Sequence, residues 1–112
     1  MTTISWNDFK KIEIRIGTII EAIDFPEAEK PAYKLKVYLG KEIGIKQSSA
    51  QITELYSKKD LLNKQVVVVV NFTPKQIGPF ISECLVTGFY NNDNQVILAV
   101  PDRTIQNGSR LS

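Results

Sequence analysis

The sequence contains no histidine, one cysteine and no long apolar run, and these absences exclude several classes of protein. Without histidine, neither a Ser-His nor a Cys-His catalytic pair can form. The lone Cys84 provides neither an internal disulfide nor a zinc site. No apolar segment approaches the ~20 residues of a membrane-spanning helix, and the amino terminus does not resemble an export signal. We therefore expect a cytoplasmic protein without membrane insertion.

Motifs for catalysis and for cofactor binding are also absent. No carboxylate pair has a spacing that suggests acid–base catalysis, and no GxxxxGK phosphate loop is present. We expect a binding protein without catalytic residues, metal or cofactor. Fourteen Lys and Arg against twelve Asp and Glu give a net charge of +2, which is too small to indicate nucleic-acid binding by itself.

Alternating apolar residues predict a mostly β chain that forms one domain, residues 1–112. Strands are predicted over 12–23, 34–39, 43–46, 66–70, 81–89 and 96–100, with a bulge or bend at Gly17. Ser5 begins a helical turn that holds Trp6 and Phe9 on one face, where they could close one end of a β-barrel or contact a second chain. Ser48 and Ser49 precede a short predicted helix over 50–56. This order predicts an all-β OB-fold, a five-stranded Greek-key barrel with a short helix between strands 3 and 4.

Residues 66–70 are five consecutive valines, the most distinctive stretch of the chain. Successive side chains of a strand point to opposite faces, so a run of valines has no polar face and is expected to be buried on both sides. One face belongs to the barrel core. The other requires a helix, a barrel interior that closes over it, or a partner chain.

Two surfaces of the predicted barrel are candidate binding sites. The first is the face of strands 2 and 3, where Lys34, Lys36, Lys46 and Ser48 are predicted to lie together and to suit a folded RNA. These lysines could equally protect an exposed strand edge. The second is the loop after the valines, where Phe72, Pro74, Lys75 and Phe80 are predicted to form an apolar peptide-binding pocket. Phe72 and Phe80 could instead be the ends of core strands.

Four segments between Phe9 and Gly108 resemble the CsaA family of bacterial export-related chaperones. They are KIEIRIGTIIEAIDFPEAEKPAYKLKV, EIGIKQSSAQIT, VVVVVNFTPKQIGPFISECLVTG and the closing VPD…NG. That family is similar to the tRNA-binding domain at the end of methionyl-tRNA synthetases. The resemblance implies an OB-fold homodimer that binds unfolded preproteins without ATP, with the export motor SecA and tRNA as further candidate partners.

The resemblance also assigns roles to single residues. Asn71 and Ser82 match polar positions on the binding face of the tRNA-binding relatives, and Lys46 matches a basic position of their third strand. The chain departs from these relatives at Ser82-Glu83-Cys84-Leu85, where they continue SEGM, and at KQSSAQI, which replaces a glycine-bearing turn. These departures favour the chaperone over the alternative function, a tRNA-binding module.

Overall fold

The computed structural model describes residues 1–112, and strands dominate it. The elements in chain order are α1 (Trp6–Lys10), β1 (Ile14–Asp24), β2 (Tyr33–Tyr38), α2 (Gly40–Ile43), β3 (Ile45–Ala50), α3 (Lys58–Leu61), β4 (Gln65–Val69), β5 (Lys75–Ile77), β6 (Phe80–Ser82), β7 (Leu85–Val86), β8 (Gly88–Tyr90) and β9 (Val96–Leu98). The three helices are single turns of four or five residues, and none of them has the length or the apolar character of a membrane-spanning helix.

An antiparallel five-stranded sheet, in the order β3-β2-β1-β4-β7, curls into a nearly closed barrel. Two hairpins, β5-β6 and β8-β9, are attached to it. The apolar alternation of β1, β2 and β4 places the core inside the barrel, with Ile19, Leu35, Val37, Leu39, Val66 and Val68 essentially inaccessible to solvent. The predicted all-β OB-fold class is confirmed.

Strand β1 serves both halves of the barrel. Its first half pairs with β4 and its second half with β2, and Thr18 faces Tyr38 on one side and Gln65 on the other. The irregularity predicted at Gly17 lies instead between Ile19 and Glu21, where the register with β2 shifts. An extra residue there increases the local bend and twist of the strand.

Gly17 has a packing role at the centre of β1. A Cβ atom at this position would lie 2.5 Å from Val37 Cγ1 and 2.7 Å from Leu39 Cδ2. Because such distances lie far inside van der Waals contact, only a residue without a side chain lets the core close against β1 at this point.

The inward and outward faces of β3 differ from the prediction. Lys46 pairs with the inward Val37 and Ser48 with the inward Leu35, and Ser48 is fully buried. The prediction that Lys46 and Ser48 share the solvent face of Lys34 and Lys36 is therefore wrong. The cause is α2, a helical turn that the sequence pattern did not indicate. It shifts the alternation of β3 by one residue, and such a shift moves every side chain of a strand to the other face.

The helix between β3 and β4 exists, but the predicted helix over 50–56 is misplaced. Ser48 and Ser49 belong to β3, whereas α3 begins after Ser57 and carries the buried Leu61 into the core. Ser57 Oγ accepts from Asp60 N, and the Asp60 carboxylate accepts from Ser57 N. The backbone N–H of Ser57 and, after it, the Ser57 hydroxyl lower the pKa of Asp60, because hydrogen bonding to the carboxylate favours its charged form.

At the amino terminus, the predicted cap by Ser5 is present, and Trp6 and Phe9 lie on one face of α1 with ring centroids 5.3 Å apart. They do not plug the barrel, because no residue of α1 is buried and Trp6 is 63% exposed.

The valine strand is covered differently on its two faces. Val66 and Val68 are buried in the barrel core. On the opposite face, Val67 pairs with Ile16, beside an apolar groove of about 300 Å³. The carboxy-terminal segment forms the other side of this groove through Pro101, Ile105 and Leu111, and Ile105 and Leu111 remain about half exposed. The second face is thus covered only in part within one chain.

The segment predicted as one strand over 81–89 is divided among β6, β7 and β8, and the barrel closes where β6 approaches β3. The contacts at this seam use side chains as well as backbone. Gln47 N donates to Glu83 Oε1 at 3.0 Å, Glu83 N donates to Gln47 O at 2.8 Å, and Ser49 N donates to Ser82 Oγ at 3.2 Å. In two of these three bonds, a side-chain oxygen replaces the carbonyl group that a regular strand ladder would supply.

Beside this seam, Cys84 is buried, and burial together with the adjacent Glu83 carboxylate raises the pKa of its thiol to about 11 from the ordinary 9.0. Between pH 9 and 11 the folded chain holds a proton that the unfolded chain releases, so stability falls as pH rises. We expect the wild type to lose about 2–3 kcal/mol of unfolding free energy over this range relative to Cys84→Ala.

Urea unfolding of both variants at pH 8, 9, 10 and 11 measures this difference. Comparing the variants subtracts the titration of tyrosines and lysines, which both share. Rapid alkylation of the native thiol by iodoacetamide at pH 8 would contradict the assignment, because reaction requires the thiolate.

Candidate binding face

The outer surface of β2 and β3 presents a mixed polar and cationic face. Cross-strand pairing sets Lys34 opposite Ser49, Lys36 opposite Gln47 and Tyr38 opposite Ile45. All six side chains point away from the core, because their neighbours along each strand point inward. The predicted placing of Lys34 and Lys36 together on an outward face agrees with this pairing.

A cleft of about 190 Å³ opens on this face. Its apolar lining comes from three strands, with Ile23 from β1, Leu35 from β2 and Phe80 from β6. Its polar rim consists of Glu21, Lys34, Lys36 and Gln47. The structure therefore joins Phe80 of the predicted peptide site with two lysines of the predicted RNA site.

Phe80 is held in the cleft by an aromatic contact. Its ring lies 5.4 Å from that of Phe25, at a tilt of 59°, and Phe25 is 3% exposed. Lys34 Nζ lies 5.5 Å from the centre of the Phe25 ring, within the range of a cation–π interaction. Phe25 therefore anchors both the apolar wall of the cleft and the cation at its rim.

Lys36 is less constrained than Lys34. Its ammonium group lies 3.6 Å from a carboxylate oxygen of Glu21, and both side chains are about half exposed. Ion pairs at this exposure contribute little to stability. Lys36 can therefore exchange Glu21 for a carboxylate or phosphate of a ligand at small cost.

Several predicted site residues lie away from this cleft. Asn71 is committed to structure, because its Oδ1 accepts from Glu13 N at 3.0 Å and its Nδ2 donates to Lys11 O at 2.6 Å. These bonds attach the end of β4 to the start of β1. Phe72 and Pro74 are exposed and line neither this cleft nor the neighbouring cavity. The predicted pocket of Asn71, Phe72, Pro74, Lys75 and Phe80 is thus not one site.

A second, larger hollow lies on the other side of the β5-β6 hairpin. It measures about 540 Å³ between that hairpin, the end of β3 and the loop over residues 25–32. Lys75 and Ser49 both line this hollow. Lys34, the cross-strand partner of Ser49, lines the cleft instead. Ser82 lies at the base of the hairpin, where its hydroxyl accepts from Ser49 N.

Sequence reasoning missed Phe25, Gln47 and Glu83. Phe25 stands in a loop with two prolines, where no periodicity indicates burial. Gln47 and Glu83 are ordinary polar residues in the sequence, and only barrel closure brings them together. No cluster of His, Cys, Asp and Glu suitable for a metal ion forms anywhere in the chain.

Residues 14–110 match the family described as the putative tRNA binding domain. The chain also aligns over 98% of its length with the whole of the CsaA chaperone structure from Picrophilus torridus, at 54% identity and a TM-score of 0.92. The chain belongs to the CsaA group of the tRNA-binding domain family. The CsaA chaperone structure from Bacillus anthracis is 42% identical, with a TM-score of 0.93 over 99% of this chain and 100% of that one.

More distant relatives extend the same fold. The methionine–tRNA ligase of Thermococcus onnurineus is 35% identical over 108 residues, which are 96% of this chain and 14% of the ligase. The chain thus spans only a small part of the length of these curated relatives. A methionyl-tRNA-synthetase-related protein from Pyrococcus horikoshii shares the fold at 21% identity and a TM-score of 0.87, each chain being fully covered.

We predict that Asn71→Ala destabilises the protein by about 1–2 kcal/mol, because it removes two hydrogen bonds between β4 and the start of β1. Urea unfolding measures the loss. Asn92→Ala is the matched control, since Asn92 is exposed in the turn before β9. Unchanged stability combined with lost ligand binding would instead make Asn71 a binding residue, as its sequence position suggested.

Proposed function

We propose that the chain is an ATP-independent chaperone that binds unfolded preproteins through the face of β2 and β3. The observation that carries this proposal is the cleft in which the half-buried Phe80 stands beside Lys34 and Lys36. An apolar wall with a cationic rim suits an exposed apolar side chain of a client, next to an acidic one.

The size of the cleft fits the task of a chaperone that must release its client. About 190 Å³ accommodates a single large side chain. Burying one such side chain contributes about 1.5–3 kcal/mol, which alone gives a weak and rapidly reversible contact. Affinity for a long client then requires further contacts beyond the cleft, and release requires no nucleotide.

The comparisons support a chaperone, since two structures 54% and 42% identical to this chain carry that name. By the same likeness, we propose a cytoplasmic location, preproteins awaiting export as clients, and the motor SecA as the partner that receives them.

We also propose that the chain works as a homodimer. Support comes from the apolar groove beside Val67 and Ile16, whose outer wall leaves Ile105 and Leu111 47% and 50% exposed. A second chain would bury these side chains and complete the cover of the valine strand.

A tRNA-binding module is the second candidate. The family description favours it, and so do Lys34 and Lys36, which project from the surface that OB-folds use for oligonucleotides. Two half-buried aromatic side chains, Tyr38 and Phe80, stand with them. This number is small for single-strand stacking and better suited to backbone contacts with a folded RNA.

The two phenylalanines of the sequence prediction provide a matched test of the chaperone. Phe80→Ala should weaken binding of a permanently unfolded polypeptide about tenfold, because it removes the wall of the cleft. Phe72→Ala should leave binding unchanged, because Phe72 lies outside the cleft and is 57% exposed. Fluorescence anisotropy of labelled, reduced and carboxymethylated α-lactalbumin measures both affinities, and circular dichroism verifies the fold.

Salt dependence separates the two candidates. Saturable binding of total tRNA that falls steeply over roughly 50–200 mM salt, without suppression of aggregation, would contradict the chaperone and support the RNA module. In that case Lys34→Ala with Lys36→Ala should reduce the salt slope by about two. Lys59→Ala, on α3, is the control substitution for charge at an exposed position.

Sedimentation at micromolar concentration tests the dimer. We expect a dimer for the wild type and a monomer for Leu111→Asp, because a buried carboxylate at the interface is unfavourable. Leu62→Asp is the control, since Leu62 is similarly exposed at 48% but follows α3, outside the groove. A wild-type monomer would overturn the proposal of a homodimer.

A further inference from the structure

Strand β5 has a free edge. It belongs to a two-stranded sheet whose only other member is β6. Lys75 pairs with Ser82, Gln76 with Ile81 and Ile77 with Phe80. In an antiparallel pair, alternate residues direct their N–H and C=O groups away from the partner strand. At least one of the three residues of β5 therefore presents both groups at the free edge.

This free edge borders a hollow rather than another strand. All three residues of β5 line the cavity of about 540 Å³, whereas no residue of β6 does. Ser49, near the end of β3, and Gln51, just after that strand, line the cavity as well. Along Gln47 and Ser49 the seam between β3 and the hairpin region is closed by hydrogen bonds. Beyond Ser49, the end of β3 and the hairpin separate, and the cavity lies between them.

The charges around the cavity are balanced. Glu27 and Glu29 contribute two carboxylates, and Lys30 and Lys75 contribute two ammonium groups. A nucleic-acid backbone, with one negative charge per nucleotide, would meet two carboxylates and gain little net attraction. A polypeptide backbone carries no net charge and offers hydrogen-bond partners for the unpaired N–H and C=O groups of the strand edge.

We propose that an extended segment of an unfolded polypeptide binds in this cavity as an added strand along β5. This inference rests on the proposed chaperone function and specifies how the client is held. Backbone pairing supplies affinity that does not depend on the client's sequence, and the cleft of Phe80, on the other side of the hairpin, receives an apolar side chain. β5 spans about 10 Å at ~3.3 Å per residue, so three or four client residues are paired.

Amide hydrogen exchange, measured by NMR, tests the pairing directly. Saturating reduced and carboxymethylated α-lactalbumin should slow exchange of at least one amide among Lys75–Ile77 about tenfold or more, because new hydrogen bonds protect it. The β8-β9 hairpin is the internal control. It is also two-stranded and does not line the cavity, so its exchange should not change.

A substitution tests the same cavity from the protein side. Gln51→Trp should reduce affinity for the unfolded polypeptide about tenfold, because an indole would occupy the space beside β5. Gln106→Trp is the matched control. Gln106 is likewise an exposed glutamine, but it lines a separate cavity of about 610 Å³ between α2 and the carboxy-terminal turn. Circular dichroism verifies that both variants fold.

The outcomes distinguish the two proposals. Polypeptide binding without protection of β5, and with full affinity for Gln51→Trp, would overturn the added strand while leaving the chaperone function intact. Absence of any polypeptide binding would overturn both. Protection of β5 by total tRNA, and not by polypeptide, would also overturn the added strand and would favour the RNA module.

Discussion

The close approach of the core to Gly17 is the constraint on which the rest of the fold depends. β1 must pair with β4 and then with β2, and the change of partner occurs at Thr18, one residue further on. Val37 and Leu39 pack where a side chain at position 17 would stand. A side chain at position 17 would push β2 away from β1. Lys34 and Lys36, on the outward face of β2, would then move away from Phe80 and Glu21.

The sequence pattern was sufficient where one physical signal dominated. Consecutive valines could only be a buried strand, and alternation fixed the faces of β2. The pattern failed at β3 because its inward positions carry Lys46, Ser48 and Ala50, which form no apolar stripe. These polar and small residues are compatible with either face of the sheet. Which residues of β3 point inward therefore depends on the helical turn of α2.

The candidate site was predictable only in pieces. Lys34, Lys36 and Phe80 were each identified from local pattern, but their meeting in one cleft results from barrel closure between segments about 45 residues apart in the sequence. Asn71 illustrates a different difficulty. Its match to a polar position of the tRNA-binding relatives suggested ligand binding, yet its amide makes two hydrogen bonds within the chain, with Lys11 and Glu13. Local sequence does not distinguish an amide that binds a ligand from one that satisfies the backbone.

The seam between β3 and the β6 region has a mechanical consequence. A strand ladder fixes the spacing of its two backbones, because both hydrogen-bonding groups are rigid. At Gln47 a direct backbone bond from Glu83 N to Gln47 O accompanies the bond to the Glu83 carboxylate, whereas at Ser49 the Ser82 hydroxyl stands between the backbones. The Ser82 torsion can change while its bond persists, so the hairpin can pivot about the backbone contact at Gln47. The opening between the hairpin and the barrel is therefore adjustable in width, which suits the proposed binding of polypeptides that share a backbone but differ in shape.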